Sequence, residues 1–186
     1  MIMKIFKEIA ILILITVVLA LGLSFYGFHL FKNISKNIIG AQDEKNATYL
    51  IEGRKITLIN GISEVPAAPG SASKIITRYF GNEVRHDFNG DGREDVAFLL
   101  TQTMGGSGTF YYVVAALNTS SGYVGSEAVL LGDRIAPQST EMGNGNTVIV
   151  NYVDRKSGES FIVAPSVGKS IWLVLDPNTM KLNEVL

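Results

Sequence analysis

Between Asp87 and Asp95 the chain reads Asp-Phe-Asn-Gly-Asp-Gly-Arg-Glu-Asp, a segment whose residue types and spacing could do chemistry. Oxygen-bearing side chains stand at alternate positions, Asp87, Asn89 and Asp91, and again at Asp95. Calcium takes six to eight oxygens at about 2.3–2.6 Å from a chain that folds around it. This run offers them from nine consecutive residues, with Gly92 where such a loop turns sharply and the Arg93 carbonyl expected to face inward. Three carboxylates this close repel one another, which favours a cation among them. The expected metal ligands are Asp87, Asn89, Asp91, Arg93 through its backbone oxygen, and Asp95. The expected cofactor is a structural Ca2+, held at about 10⁻⁴–10⁻³ M as in extracellular modules. The competing expectation is an acidic Asn-Gly/Asp-Gly turn that binds no ion.

The motif resembles the calcium loop of EF-hands, dockerins and the FG-GAP repeats of integrin-like propellers. The twelfth loop position holds Phe98 instead of the bidentate Glu of an EF-hand. Val96–Leu100 reads as a strand, whereas a dockerin would continue as a helix. The loop-then-strand order is most similar to FG-GAP, a resemblance that implies Asp95 closes the site. One copy does not make a propeller. Ala47–Tyr49, Arg78–Gly81, Gly106–Tyr112 and Leu131–Gln138 are together similar to uncharacterised membrane-anchored envelope proteins of bacteria. That resemblance implies a localisation and no activity.

Other short matches are weaker. Gly168-Lys169-Ser170 imitates the end of a P-loop, but Val163 stands where the first Gly is needed and a strand follows. No nucleotide is expected. Ser71-Ala72-Ser73-Lys74 fits S-x-x-K and Lys156-Ser157-Gly158 a K-[ST]-G variant, yet Pro69-Gly70 precedes the Ser and no S-D-N occurs. His86 is the sole histidine beyond residue 29, so a Ser-His-Asp triad would have to use it. Asp133, Arg134 and Gln138 suggest an ion pair near a turn. Trp172, Tyr111 and Tyr112 are expected in the core.

Those residues must be positioned by a chain of 186 residues, 47% hydrophobic and 18% charged, with net charge -1. No basic excess is available for phosphates, so no nucleic-acid partner is expected. The absence of cysteine excludes disulfides, Cys-zinc sites, iron–sulfur clusters and thiol catalysis. Residues 9–28 carry no formal charge, and the run extends to Phe31 if His29 is neutral. About twenty residues cross a hydrocarbon core as a helix, so residues 1–32 read as a membrane anchor with the N-terminus cytoplasmic. The expected partner is a lipid bilayer, through residues 9–31. A cleaved signal peptide is the rival, with Ala20-Leu21-Gly22 as its small residues, but the apolar run is longer than such a core needs. Residues 33–45 read as a polar linker. Residues 33–186 carry 13 basic and 16 acidic side chains, mildly acidic at -3.

From 46 to 186, short β-rich runs alternate with Gly, Asn, Asp, Ser and Pro clusters. Expected strands are Thr48–Glu52, Lys55–Ile59, Ile75–Phe80 (or one helical turn), Val96–Thr103, Thr109–Leu117, Tyr123–Leu131, Thr147–Val153, Phe161–Ala164 and Ile171–Leu175. Phe110, Tyr112 and Val114 share one face and Tyr111, Val113 and Ala115 the other, which predicts a central strand covered on both sides. The expected fold class is mainly β, a small β-sandwich or barrel-like domain of about eight strands behind one transmembrane helix. The expected function is that of a membrane-anchored extracytoplasmic β domain with a calcium-stabilised loop, binding or structural, with an unknown protein or envelope partner. The alternatives are a hydrolase using Ser71, Lys74, His86 and Asp133, and an inhibitor presenting Met104–Gly108 at a sheet edge.

Overall fold

The computed structural model describes residues 42–185, and Gly22 alone before them. The expected anchor and most of the linker lie outside the described residues. Among the described residues, no helix is long and apolar enough to cross a membrane. The described fold belongs to one compact unit, Gly40–Leu186. It is mainly β: a 3-10 turn at Glu44–Asn46 and then twelve strands in three antiparallel sheets. About eight strands were expected, and the surplus comes from short or polar ones.

A two-stranded hairpin joins β1 (Thr48–Ile51) to β2 (Arg54–Thr57). Its turn residues Glu52 and Gly53 both have positive φ, +49° and +77°. That combination matches the right-handed twist of a hairpin, and it puts the turn one residue before the expected Gly53-Arg54. A six-stranded sheet runs β3 (Ile62–Pro66), β4 (Lys74–His86), β5 (Asp95–Thr103), β6 (Phe110–Thr119) and β7 (Gly122–Gly125). The sixth strand, β8 (Val129–Asp133), also pairs with β6. A four-stranded sheet has the order β12 (Lys181–Glu184), β11 (Val167–Asp176), β10 (Thr147–Asp154) and β9 (Ala136–Met142).

Alternation along β5 and β6 decides the packing. Val96, Phe98, Leu100, Tyr112, Val114 and Ala116 pack against Tyr49, Ile51, Ile56 and Leu58 of the hairpin region. Ala97, Leu99, Val113, Ala115 and Leu117 pack against Val148, Val150, Leu173, Leu175 and Leu182 of the four-stranded sheet. The expected two-sided central strand is therefore present, and β5 is a second one. Such strands read as continuous apolar runs because both faces leave water.

Several expectations change. Tyr123–Leu131 is two strands, interrupted at Ser126. There the Ser126 amide donates to the Ala115 carbonyl at 2.8 Å and the Ser126 hydroxyl accepts from the Ala115 amide at 2.8 Å. Phe161–Ala164 is a loop with no strand, and Phe161, Ile162 and Val163 are exposed. Tyr112 is buried as expected, but Trp172 is 45% exposed.

Gly125 explains how the hairpin approaches. A Cβ there would stand 2.4 Å from the Thr48 carbonyl oxygen and 2.6 Å from the Tyr49 ring. Gly125→Ala is expected to push the hairpin away and cost about 1–3 kcal/mol, the usual range for overpacking. A denaturation midpoint unchanged from wild type would show that the hairpin yields freely.

Candidate metal centre

The loop 87–94 leaves β4 after His86 and enters β5 at Asp95. Gly90 and Gly92 have φ of +77° and +82°, a region glycine enters without steric cost. Nothing lies within 4 Å of a Cβ at either position, so conformation and not crowding requires glycine. The expected sharp turn at Gly92 is present.

Asp87 organises the turn. Its Oδ1 accepts from the Gly90 amide at 2.7 Å and the Asp91 amide at 3.1 Å, and its Oδ2 from the Gly92 amide at 2.8 Å. These amides, Gly92 first, hold its carboxyl below the usual range. Asn89 Oδ1 accepts from the same Asp91 amide at 3.0 Å, so the Asp87 and Asn89 oxygens converge on one point. Asp91 accepts from the Arg93 amide at 2.9 Å and from the Asn89 amide side chain at 3.1 Å. Its carboxyl is also lowered, the Arg93 amide being the main cause.

Asp95 closes the loop from below and is fully buried. Its Oδ2 accepts from the Phe88 amide at 2.9 Å, its Oδ1 from the Asn118 amide at 2.7 Å. Burial pushes its carboxyl up, and the charges on Asp91 and Asp87 push the same way. The Asp91 charge thus opposes ionisation of both Asp95 and Asp87, and the Asp87 charge that of Asp95.

Arg93 is expected to act only through its carbonyl, yet its side chain also takes part. Its guanidinium donates to Asp91 Oδ2 at 2.7 Å and to the Asn118 carbonyl at 2.7 Å, so a protein cation already offsets part of the acidic charge. Among the described residues, no group of three or more His, Cys, Asp or Glu side chains is arranged to hold a metal ion. A calcium loop draws also on Asn and backbone oxygens, which such a group leaves out.

His86 lies beside this loop with Nε2 3.0 Å from Asn146 Oδ1, tying the β9–β10 turn to the end of β4. The four residues of the hydrolase alternative share no cleft. Lys74 and His86 are the two ends of β4, a strand of 13 residues, roughly 35–40 Å long at about 3.3 Å per residue. Lys74 pairs with Glu64 at 3.0 Å, and Asp133 accepts from the Arg134 guanidinium at 2.9 Å and the Thr109 amide at 2.8 Å. Met104–Gly108, the inhibitor alternative, joins β5 to β6 in the middle of the sheet, away from its edges.

Trp172 is exposed where the core is expected for it. Its signal was available, because Leu173 and Leu175 face the core and a period of two turns Trp172 outward.

No family model, no curated protein and no solved structure matches the chain.

Proposed function

We propose that the chain is a membrane-anchored extracytoplasmic binding or structural protein of sandwich type, with a calcium-stabilised loop at Asp87–Asp95. The ligands are side-chain oxygens of Asp87, Asn89, Asp91 and Asp95 and the Arg93 carbonyl. One observation carries the metal part: a fully buried Asp95 carboxylate repelled by Asp87 and Asp91 around a turn on which Asp87 and Asn89 oxygens converge. A divalent cation relieves that repulsion, and the carboxylates lie on a rigid strand end and a pre-turned loop. The uncharged run 9–31 supports the anchor. The resemblance to bacterial envelope proteins supports the exported location.

The test is a thermal melt of the full chain with EDTA and with millimolar calcium, beside Asp91→Ala. At 100 times the dissociation constant, binding adds about 2.7 kcal/mol. At about ten times, as millimolar calcium gives for a site of this class, the gain is about 1.4 kcal/mol. Wild type is expected to melt about 3–6 °C higher with calcium, and Asp91→Ala to be indifferent. Coincident wild-type curves under both conditions would leave Asp87–Asp95 an acidic turn closed by Arg93.

A further inference from the structure

Among the described residues, the four-stranded sheet has one face buried in the core and the other uncovered. Val148, Val150, Leu173 and Leu175 point into the core. Alternation turns Ile149, Asn151, Ser170 and Trp172 to the opposite side. Ile149 pairs with Trp172, and Asn151 with Ser170. Trp172 is the chain's only tryptophan. With Gly143, Asn144, Thr147, Ile149 and Val185 it lines an open groove of about 480 Å³.

Gly143 keeps the groove's wall open. A Cβ there would stand 2.9 Å from Ile149 Cδ1, and no positive φ demands glycine at that position. Asn144 binds Thr147 through its backbone carbonyl, and its side-chain amide has no partner among the described residues. A second polar group lies two residues from Ile149, about 7 Å along β10. There the Asn151 amide donates to Ser139 Oγ at 2.9 Å and Glu141 Oε1 at 2.7 Å, and Ser170 donates to Asn151 Oδ1 at 2.5 Å. This network fixes Asn151 in place, and among the described residues the Ser139 proton and Glu141 Oε2 have no partner.

The lining selects a class of ligand. Among the described residues it contains no Lys or Arg, so a phosphate or carboxylate finds no counter-charge there. The Asn144 side-chain amide would be desolvated without reward under an acyl chain. A flat ring with C–H groups on its face and hydroxyls around its edge satisfies both halves: the face stacks on the indole and the edge meets amides and hydroxyls. Pyranoses with equatorial substituents and β linkages have that shape, and their chains run straight enough to cross from Trp172 to Asn151.

We propose that this groove binds a neutral β-linked glucosyl or N-acetylglucosaminyl chain, one ring stacked on Trp172 beside Asn144 and Thr147, the next reaching Asn151, Ser139 and Glu141. The proposal stands apart from the calcium loop, and neither depends on the other.

The test uses the full chain in a zwitterionic detergent without a sugar headgroup, titrated with tetra-N-acetylchitotetraose and with cellotetraose. Trp172 is the sole indole, so its emission reports this groove alone. At least one tetramer is expected to give a saturable shift of that emission at millimolar concentration or below. By calorimetry, Trp172→Ala should weaken binding about tenfold or more, equivalent to about 1.4 kcal/mol. Asn144→Ala should weaken it about threefold, while Trp172→Phe keeps part of the affinity. A thermal melt of each variant controls for folding, and the exposed position of Trp172 predicts little change. Three results overturn the proposal: neither tetramer moves the emission, Trp172→Ala binds as well as wild type, or detergent monomer alone produces the saturable shift.

Discussion

Asp95→Ala is expected to lower the melting temperature by about 6–12 °C in EDTA and to abolish any rise on adding calcium. The carboxylate is fully buried and accepts from the Phe88 and Asn118 amides. Its loss leaves the buried Phe88 amide and the partly buried Asn118 amide unpaired, at about 1–3 kcal/mol each. Part of that is returned, because burial and the neighbouring carboxylates of Asp91 and Asp87 already disfavour its charge. A net cost of about 3 kcal/mol follows, and a domain of this size loses about 2–4 °C per kcal/mol. The exposed Asp91 behaves differently. Its partners Arg93 and Asn89 are themselves solvated, so Asp91→Ala should cost under about 1 kcal/mol without calcium. Asp95→Asn separates shape from charge. It keeps the volume but turns an amide NH₂ toward one of the two donors, so it should recover less than half the loss. An Asp95→Ala variant within about 1 kcal/mol of wild type by chemical denaturation would mean that Phe88 and Asn118 find other acceptors, and the loop would lose its anchor to β6.

The ease with which this loop could be read, and the difficulty elsewhere, have the same physical origin. The turn of Asp87–Asp95 is local: Asp87, Asn89, Asp91 and the turn glycines lie within nine residues, so spacing places them, whereas the bonds of Asp95 and Arg93 to Asn118 carry no local signal. The two-sided burial of β6 was legible because both alternating faces, Tyr112 and Val114 against Val113 and Ala115, are apolar. β3, β9 and β12 were not, since Ala136–Met142 contains Pro137, Gln138, Ser139 and Glu141 and lies at a sheet edge. An edge strand takes its conformation from pairing with β10, a partner distant from any local signal. Phe161–Ala164 misled in the opposite direction. Its apolar residues suggest a strand, yet Phe161 lies under the Arg134 guanidinium, 3.9 Å from its ring centre, and the segment pairs with no sheet. The break at Ser126 depends on side-chain and backbone bonds to Ala115 that no periodicity announces. Trp172 shows a different limit: aromatic composition favours the core, and only the phase of its strand relative to Leu173 and Leu175 corrects that.

Phe98→Ala should have the largest effect, about 3–5 kcal/mol, and it should act on one layer first. The ring is fully buried on β5. It meets the Tyr49 ring edge-on at 5.6 Å and the Tyr79 ring at 4.9 Å. Each such aromatic pair adds about 0.5–1.5 kcal/mol beyond its burial. The β1–β2 hairpin depends on this contact, because two strands alone are marginal in water and its buried residues Tyr49, Ile51 and Ile56 face the β5–β6 layer. Removing the ring opens a cavity under Tyr49, on the side away from the four-stranded sheet. Amide exchange should therefore accelerate first at Tyr49, Ile51 and Ile56, and only at global unfolding at Val148 and Val150, which pack on the opposite face of the same strand. Leu99→Ala, one residue along, provides the mirror experiment, loosening β10 and β11 before the hairpin. Equal acceleration on both faces in each variant would mean that the layers unfold as one unit. Since Asp95 and its two amide donors remain intact in Phe98→Ala, any calcium-dependent rise in melting temperature should persist at its wild-type size, which separates a cavity in the core from damage to the loop.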